Sequence, residues 1–339
     1  MKKCLVLGAA GFLGSHLEHR LKEEGHHVVS VARKPPQYRK TVADEWNILD
    51  LENVADFHAH FYRHQFDEVY QMAGAVGGLG YIGTGQHDAE ILTSSLKINL
   101  YTLEAIRKFG NVGKIFFASS QCVYPNKFEI DPFANERLVP RFSPSAFNET
   151  QADFFNNFAF AKEKLYAEAL YEAYHREFGF DIRIGRIGNT YGPYCTWAGE
   201  RAKSVAAICR KVAEAPYAGI VPLWGDGQQT RSFTYVDDII EGIIRLMQVE
   251  YWKPLNLASS ETVSIAWLFE LICKQAGKIL AWEPSSGPVG ASHRGSDNTL
   301  CKHVLGWEPP TTLAEGLAKT YPWIAEQVEK SLATPEKVT

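Results

Sequence analysis

Along the first 120 residues, short β-branched runs alternate with longer amphipathic stretches. Cys4 to Leu7 and His27 to Val31 read as strands, Gly14 to Glu24 between them reads as a helix, and Lys114 to Ala118 is a further strand. This alternation predicts an α/β fold with a doubly wound parallel sheet and helices on both faces. Two longer stretches, about His87 to Phe109 and Phe160 to Phe178, place apolar residues on more than one side of a helix: Ile91, Leu96, Leu100 and Leu103 in the first, Leu165, Leu170 and Tyr174 in the second. Such helices are either deeply buried or covered by a second subunit, so a homodimer is the expected assembly. After Tyr191 the pattern loosens into Gly and Pro clusters at residues 192–193, 224–227 and 284–290, which reads as a smaller, loop-rich C-terminal lobe capping the sheet.

Composition narrows the partners. The net charge of -4, with 22% charged residues, lacks the basic excess of nucleic-acid binders, and nucleic acid is not an expected partner. The apolar run at the N-terminus is short and breaks into glycines, which reads as a strand rather than a leader, and no run approaches the length of a membrane span. Cys4, Cys122, Cys195, Cys209, Cys273 and Cys301 have no metal-ligand spacing. Free thiols, no metal site, no membrane and a cytoplasmic location are the expectations.

Gly8, Gly11 and Gly14, with Phe12 and Leu13 between them, follow the first strand and open the helix after it. Glycines there let backbone N–H groups and a helix N-terminus approach a pyrophosphate, which predicts a dinucleotide cofactor. The end of the second strand, where an acid for the adenosine ribose is expected, carries Ala32, Arg33 and Lys34 instead. A guanidinium suits a 2′-phosphate, so the cofactor is expected to be NADP or NAD, with Arg33 favouring NADP. Residues 1–190 with about 237–258 then form the dinucleotide-binding domain. Residues about 191–236 with 259–330 form the substrate lobe, and 331–339 a frayed tail.

The glycine spacing G-x-x-G-x-x-G resembles that of the extended short-chain dehydrogenases/reductases. The run from Ser119 to Pro125 resembles their S-S-x-x-V-Y-G signature, which puts Ser120 where the family's serine meets the substrate hydroxyl. Phe160 to Lys164 resembles the Y-x-x-x-K helix turn, with Lys164 in place and phenylalanine at the tyrosine position. Further segments, Gly77 to Ile82, Asn189 to Pro193, Lys203, Cys209 to Lys211, Trp224 to Thr234 and Arg294 to Asn298, are similar to the GDP-mannose 3,5-epimerase family over residues 4 to about 329. That resemblance implies a tightly held NAD(P), a GDP-hexose, and a three-stage reaction. The sugar C4 hydroxyl is oxidised, C3 or C5 is inverted through an enolate, and C4 is reduced again.

It further implies that Cys122 is the base and Lys203 the opposing acid, that Arg231 and Arg294 clamp the diphosphate, and that Gly77, Gly78, Asn189, Lys203 and Lys211 line the substrate. Cations beside a thiol favour its thiolate, which makes Cys122 a workable base. Gln121 and Cys122 stand where a dehydratase carries carboxylates, which favours epimerisation over elimination. Phe160 has no hydroxyl to take the C4 proton, so an inactivated variant is expected. A nucleotide-sugar dehydratase, a C4 epimerase and a non-catalytic nucleotide-sugar or dinucleotide binder are the alternatives.

Overall fold

A computed structural model describes residues 1–62, 64–110, 112–124 and 159–333. The chain opens with β1 (Lys3–Leu7), α1 (Phe12–Glu23), β2 (His27–Ala32), β3 (Glu45–Ile48), α2 (Val54–Tyr62), β4 (Phe66–Gln71), the short α3 (Leu79–Ile82), α4 (Asp88–Phe109) and β5 (Val112–Ser120). It continues through α5 (Ala159–Phe178), β6 (Ile182–Ile187), β7 (Asn189–Tyr191), α6 (Ser204–Glu214), β8 (Ala218–Trp224), β9 (Thr230–Tyr235), α7 (Val236–Gln248) and β10 (Leu255–Leu257). The last elements are β11 (Thr262–Ser264), α8 (Ile265–Ala276), β12 (Ile279–Ser285), β13 (His293–Arg294), α9 (Thr299–Leu305) and α10 (Leu313–Ala333).

Seven strands form one parallel sheet in the order β10-β6-β5-β4-β1-β2-β3. Strands buried on both faces read as continuous apolar runs, and Cys4, Leu5, Val6 and Leu7 are all fully buried. On one face Leu17 and Leu21 of α1 pack with Ile239 and Ile243 of α7 and with Cys301 and Leu305 of α9. On the other, Phe57 of α2, Leu103 and Ile106 of α4, and Ala167 and Tyr171 of α5 cover Leu5, Leu7 and Ile184. α9 therefore packs with the sheet, although it lies in the stretch expected to join the lobe.

β7, β9, β11 and β13 form a small sheet, and β8 pairs with β12. Val205 and Cys209 of α6, Leu268 and Ile272 of α8, and Leu317 and Ile324 of α10 make the separate core of this lobe. α10 runs to Ala333, so residues 331–333 are helical rather than frayed, and 334–339 lie outside the described residues together with Pro125. Among the described residues no helix is long and apolar enough to cross a membrane.

Sheet order reverses between β1 and β4, where successive crossovers leave in opposite directions and open a crevice at the carboxyl ends of the strands. The lobe sits over that crevice.

Candidate active site

At the carboxyl end of β1 the chain turns through Gly8, at φ +84°, into α1. A Cβ on Gly8 would meet the backbone of Ala73 at 2.8 Å, and one on Gly14 would meet the Gly8 carbonyl at 2.3 Å. The turn can close this tightly only without side chains. Gly11 caps α1 with no side-chain bond, leaving the first-turn N–H groups of the helix for an anionic group. These features fit a dinucleotide. Phe12 packs into the lobe core, and Leu13 reaches the crevice. Arg33 stands apart from these groups: it is exposed at the end of β2, with Nη1 3.8 Å from a Glu52 carboxylate oxygen.

The crevice holds a cavity of about 320 Å³, the size of a small-ligand site. Its walls include Ser120 and Cys122 from the end of β5, Phe160 and Lys164 from α5, and Asn189 from β7. Lys203 and Lys211 from the α6 region, Arg231 from β9 and Arg294 from β13 complete the polar set, with Gly77 and Gly78 closing one side. Residues far apart in the chain, each expected to touch substrate, are thus gathered around one space.

β5 ends in a single 3₁₀ turn in which Ser120 Oγ accepts from the Cys122 backbone N–H at 3.1 Å. The hydroxyl hydrogen of Ser120 remains available to donate into the cavity. Behind the turn, Ser119 and Arg186 both donate to Glu168, at 2.5 Å and at 2.6 and 2.9 Å, in a buried cluster. In front of it Gln121 donates to Ser296 Oγ (2.8 Å), which donates to Asn298 Oδ1 (2.8 Å). This clamp ties the Cys122 turn to the strand that carries Arg294, and Arg294 Nη1 lies 3.2 Å from the Cys122 sulfur. The guanidinium expected to grip a diphosphate thus also sets a cation beside the Cys122 sulfur. Arg231 is held on the backbone carbonyls of Thr230, Val289 and Ala291, while Lys211 donates to the Pro222 carbonyl at 2.6 Å and Asn189 to the Ser232 carbonyl at 3.3 Å.

Lys203 caps the N-terminus of α6 and is only partly exposed. Burial pushes its ammonium below the usual lysine range, and the nearby sulfurs of Cys122 and Cys195 push it part of the way back. Two loops hold it there. The Gly78 N–H donates to the Arg201 carbonyl (3.0 Å), and the Arg201 guanidinium lies 3.7 Å from the centroid of the Tyr81 ring, which stacks on His87. A Cβ on Gly78 would fall 2.1 Å from the Ala202 carbonyl oxygen, so glycine is what allows the loops to meet.

Phe160 and Lys164 share a face of α5, one turn apart. The buried Lys164 ammonium lies 3.3 Å from Glu163, 5.1 Å from the Phe117 ring centroid and 5.6 Å from that of Phe160. Asn99 of α4 donates to Glu163 and accepts from Gln71, fixing this corner from behind. Asn99, Glu163 and the Met72 to Gly74 segment were not among the residues expected from the sequence. Only the last carried a visible signal, the two small residues Ala73 and Gly74 just past the end of β4.

The NAD dependent epimerase/dehydratase family model matches residues 4–257. Over 342 residues the chain is 36% identical to the GDP-mannose 3,5-epimerase of Arabidopsis thaliana, spanning 99% of this chain and 86% of that protein. It is 37% identical over 327 residues to GDP-mannose 3,5-epimerase 1 of Oryza sativa subsp. indica, with 96% of this chain and 82% of that protein aligned. A solved structure of the UDP-glucose 4-epimerase of Thermotoga maritima with UDP-glucose superposes with a TM-score of 0.80 over 96% of this chain and 99% of that one. At 24% identity, that likeness is one of fold.

Proposed function

From the premise that the chain belongs to the NAD dependent epimerase/dehydratase family, we propose that it inverts carbons flanking C4 of a GDP-activated hexose. The observation that carries this reading is the meeting of Cys122, Lys203, Ser120 and Lys164 in one cavity that also contains Arg231 and Arg294. A C–H bond next to an alcohol is not acidic, whereas one next to a ketone is. With a ketone at C4, the Cys122 thiolate takes the proton from C3 or C5 on one face and the Lys203 ammonium delivers a proton to the other, which inverts the carbon. Ser120 donates to the C4 oxygen and steadies the enolate.

When bound, a nicotinamide dinucleotide would supply hydride chemistry, and the turn from Gly8 to Gly14 would hold its pyrophosphate. Arg33 favours NADP over NAD, opposed by Glu52, so Arg33→Ala should weaken NADP binding by more than NAD binding. Cofactor released on denaturation, identified by mass spectrometry as NAD alone, would overturn that choice. Arg231 and Arg294 take the sugar diphosphate, and guanine is the base carried by the similar plant enzymes' substrate. We place the protein in the cytoplasm as a homodimer, with a second copy against α4 and α5, where Leu100 and Tyr166 are exposed. Calorimetry with GDP-mannose, UDP-glucose and dTDP-glucose tests the nucleotide, and tighter binding of either non-guanine sugar would refute GDP.

A further inference from the structure

Resting on the epimerase reading, we propose that the substrate of this chain arrives already oxidised, as a nucleotide-activated 4-ketohexose. The inference comes from what the cavity can and cannot do with protons. Oxidising a C4 alcohol removes a hydride from carbon and a proton from oxygen, and the proton needs an acceptor at hydrogen-bond distance. Phe160 presents only carbon. Ser120 offers a neutral hydroxyl, too weak a base to keep the proton, whose oxygen also accepts from the Cys122 N–H. The Lys164 ammonium has no lone pair, and it is held by Glu163 and two aromatic rings rather than by a phenol. Among the described residues lining the cavity there is no tyrosine, histidine or aspartate. Among the described residues the one carboxylate on the wall, Glu200, pairs with His87 at 3.3 Å in the loop latch beside Lys203.

The other half of the chemistry is intact. Enolisation of a ketone needs a base, an opposing acid and a donor for the oxygen, and Cys122, Lys203 and Ser120 are all present. The step balances without an oxidant: Cys122 gains the proton that carbon loses, Lys203 gives up the proton that carbon gains, and exchange with solvent restores both groups. By microscopic reversibility the same missing hydroxyl denies the C4 oxygen its proton on reduction, so the product leaves as a ketone. A reaction that oxidises C4, such as the oxidation and elimination carried out by nucleotide-sugar dehydratases as a class, must supply the substrate. A reductive or aminating step must consume the product.

The test follows deuterium incorporation by NMR in D2O with the full chain as written, on GDP-4-keto-6-deoxymannose and, in parallel, on GDP-mannose. The ketone should exchange at C3 or C5 at least about a hundredfold faster than the alcohol, the lower end of what a positioned general base contributes. Phe160→Tyr should raise the alcohol rate by a similar factor. An alcohol that exchanges within tenfold of the ketone, with Phe160 in place, would overturn this inference and leave the epimerase reading standing. Exchange with neither sugar, though both bind, would overturn the epimerase reading and this inference with it.

Discussion

Gly78→Ala perturbs the placement of Lys203 while leaving unchanged every side chain expected to touch substrate. The new Cβ would lie 2.1 Å from the Ala202 carbonyl oxygen, 2.8 Å from its carbon and 3.3 Å from Lys203 Cα. These are backbone atoms, so no rotamer change relieves the clash, and the 199–203 loop must retreat by roughly 1 Å. That retreat stretches the bond from the Gly78 N–H to the Arg201 carbonyl and carries the Lys203 ammonium with it. A misplacement of about 1 Å can cost on the order of a hundredfold in rate, whereas overpacking of this kind costs about 1–3 kcal/mol in stability. The fold should therefore survive while inversion falls about a hundredfold. Deuterium exchange through Cys122, which can take a proton and return a deuteron on the same face, should persist. NMR of the 4-keto sugar in D2O separates the two events, and a thermal melt checks the fold. Inversion within threefold of the parent, with the fold intact, would refute the role given to the latch.

Two further outcomes follow from the same geometry. The Lys203 ammonium must be protonated to act, and burial lowers its pKa, so inversion of the ketone should fall as pH rises through a value below the ordinary 10.5; a pH–rate profile with its alkaline limb at or above that value would contradict the assignment. Arg186→Met leaves Glu168 buried without its cation, at a cost of about 3–5 kcal/mol, and should lower the urea midpoint well below that of the parent.

Much of this site was legible in the sequence because its parts are local. The glycine turn, the end of β5, and Phe160 with Lys164 on one face of a helix are each set by spacing within a few residues, and each stands where its spacing placed it. What the sequence could not express were meetings across the fold. Arg294 lies 172 positions from Cys122, and nothing near either residue announces that guanidinium and sulfur will touch. The grip of Arg201 on Tyr81 is hidden for the same reason. So is the docking of α9 on the sheet, where Cys301 and Leu305 supply only two buried anchors to a helix too short to show a pattern. Arg33 was legible as a residue but not as an environment: Glu52, brought up by the loop after β3, faces it at 3.8 Å.

The central claim is that Cys122 and Lys203 work on opposite faces of a carbon next to a C4 ketone. The measurement that tests it most directly is NMR of a nucleotide-activated 4-ketohexose in D2O with the parent chain, Cys122→Ala and Lys203→Met. The account predicts that the parent incorporates deuterium with inversion at C3 or C5. Cys122→Ala should lose exchange at one or both carbons, and Lys203→Met should exchange without inverting. Inversion proceeding at the parent rate in both variants would contradict it.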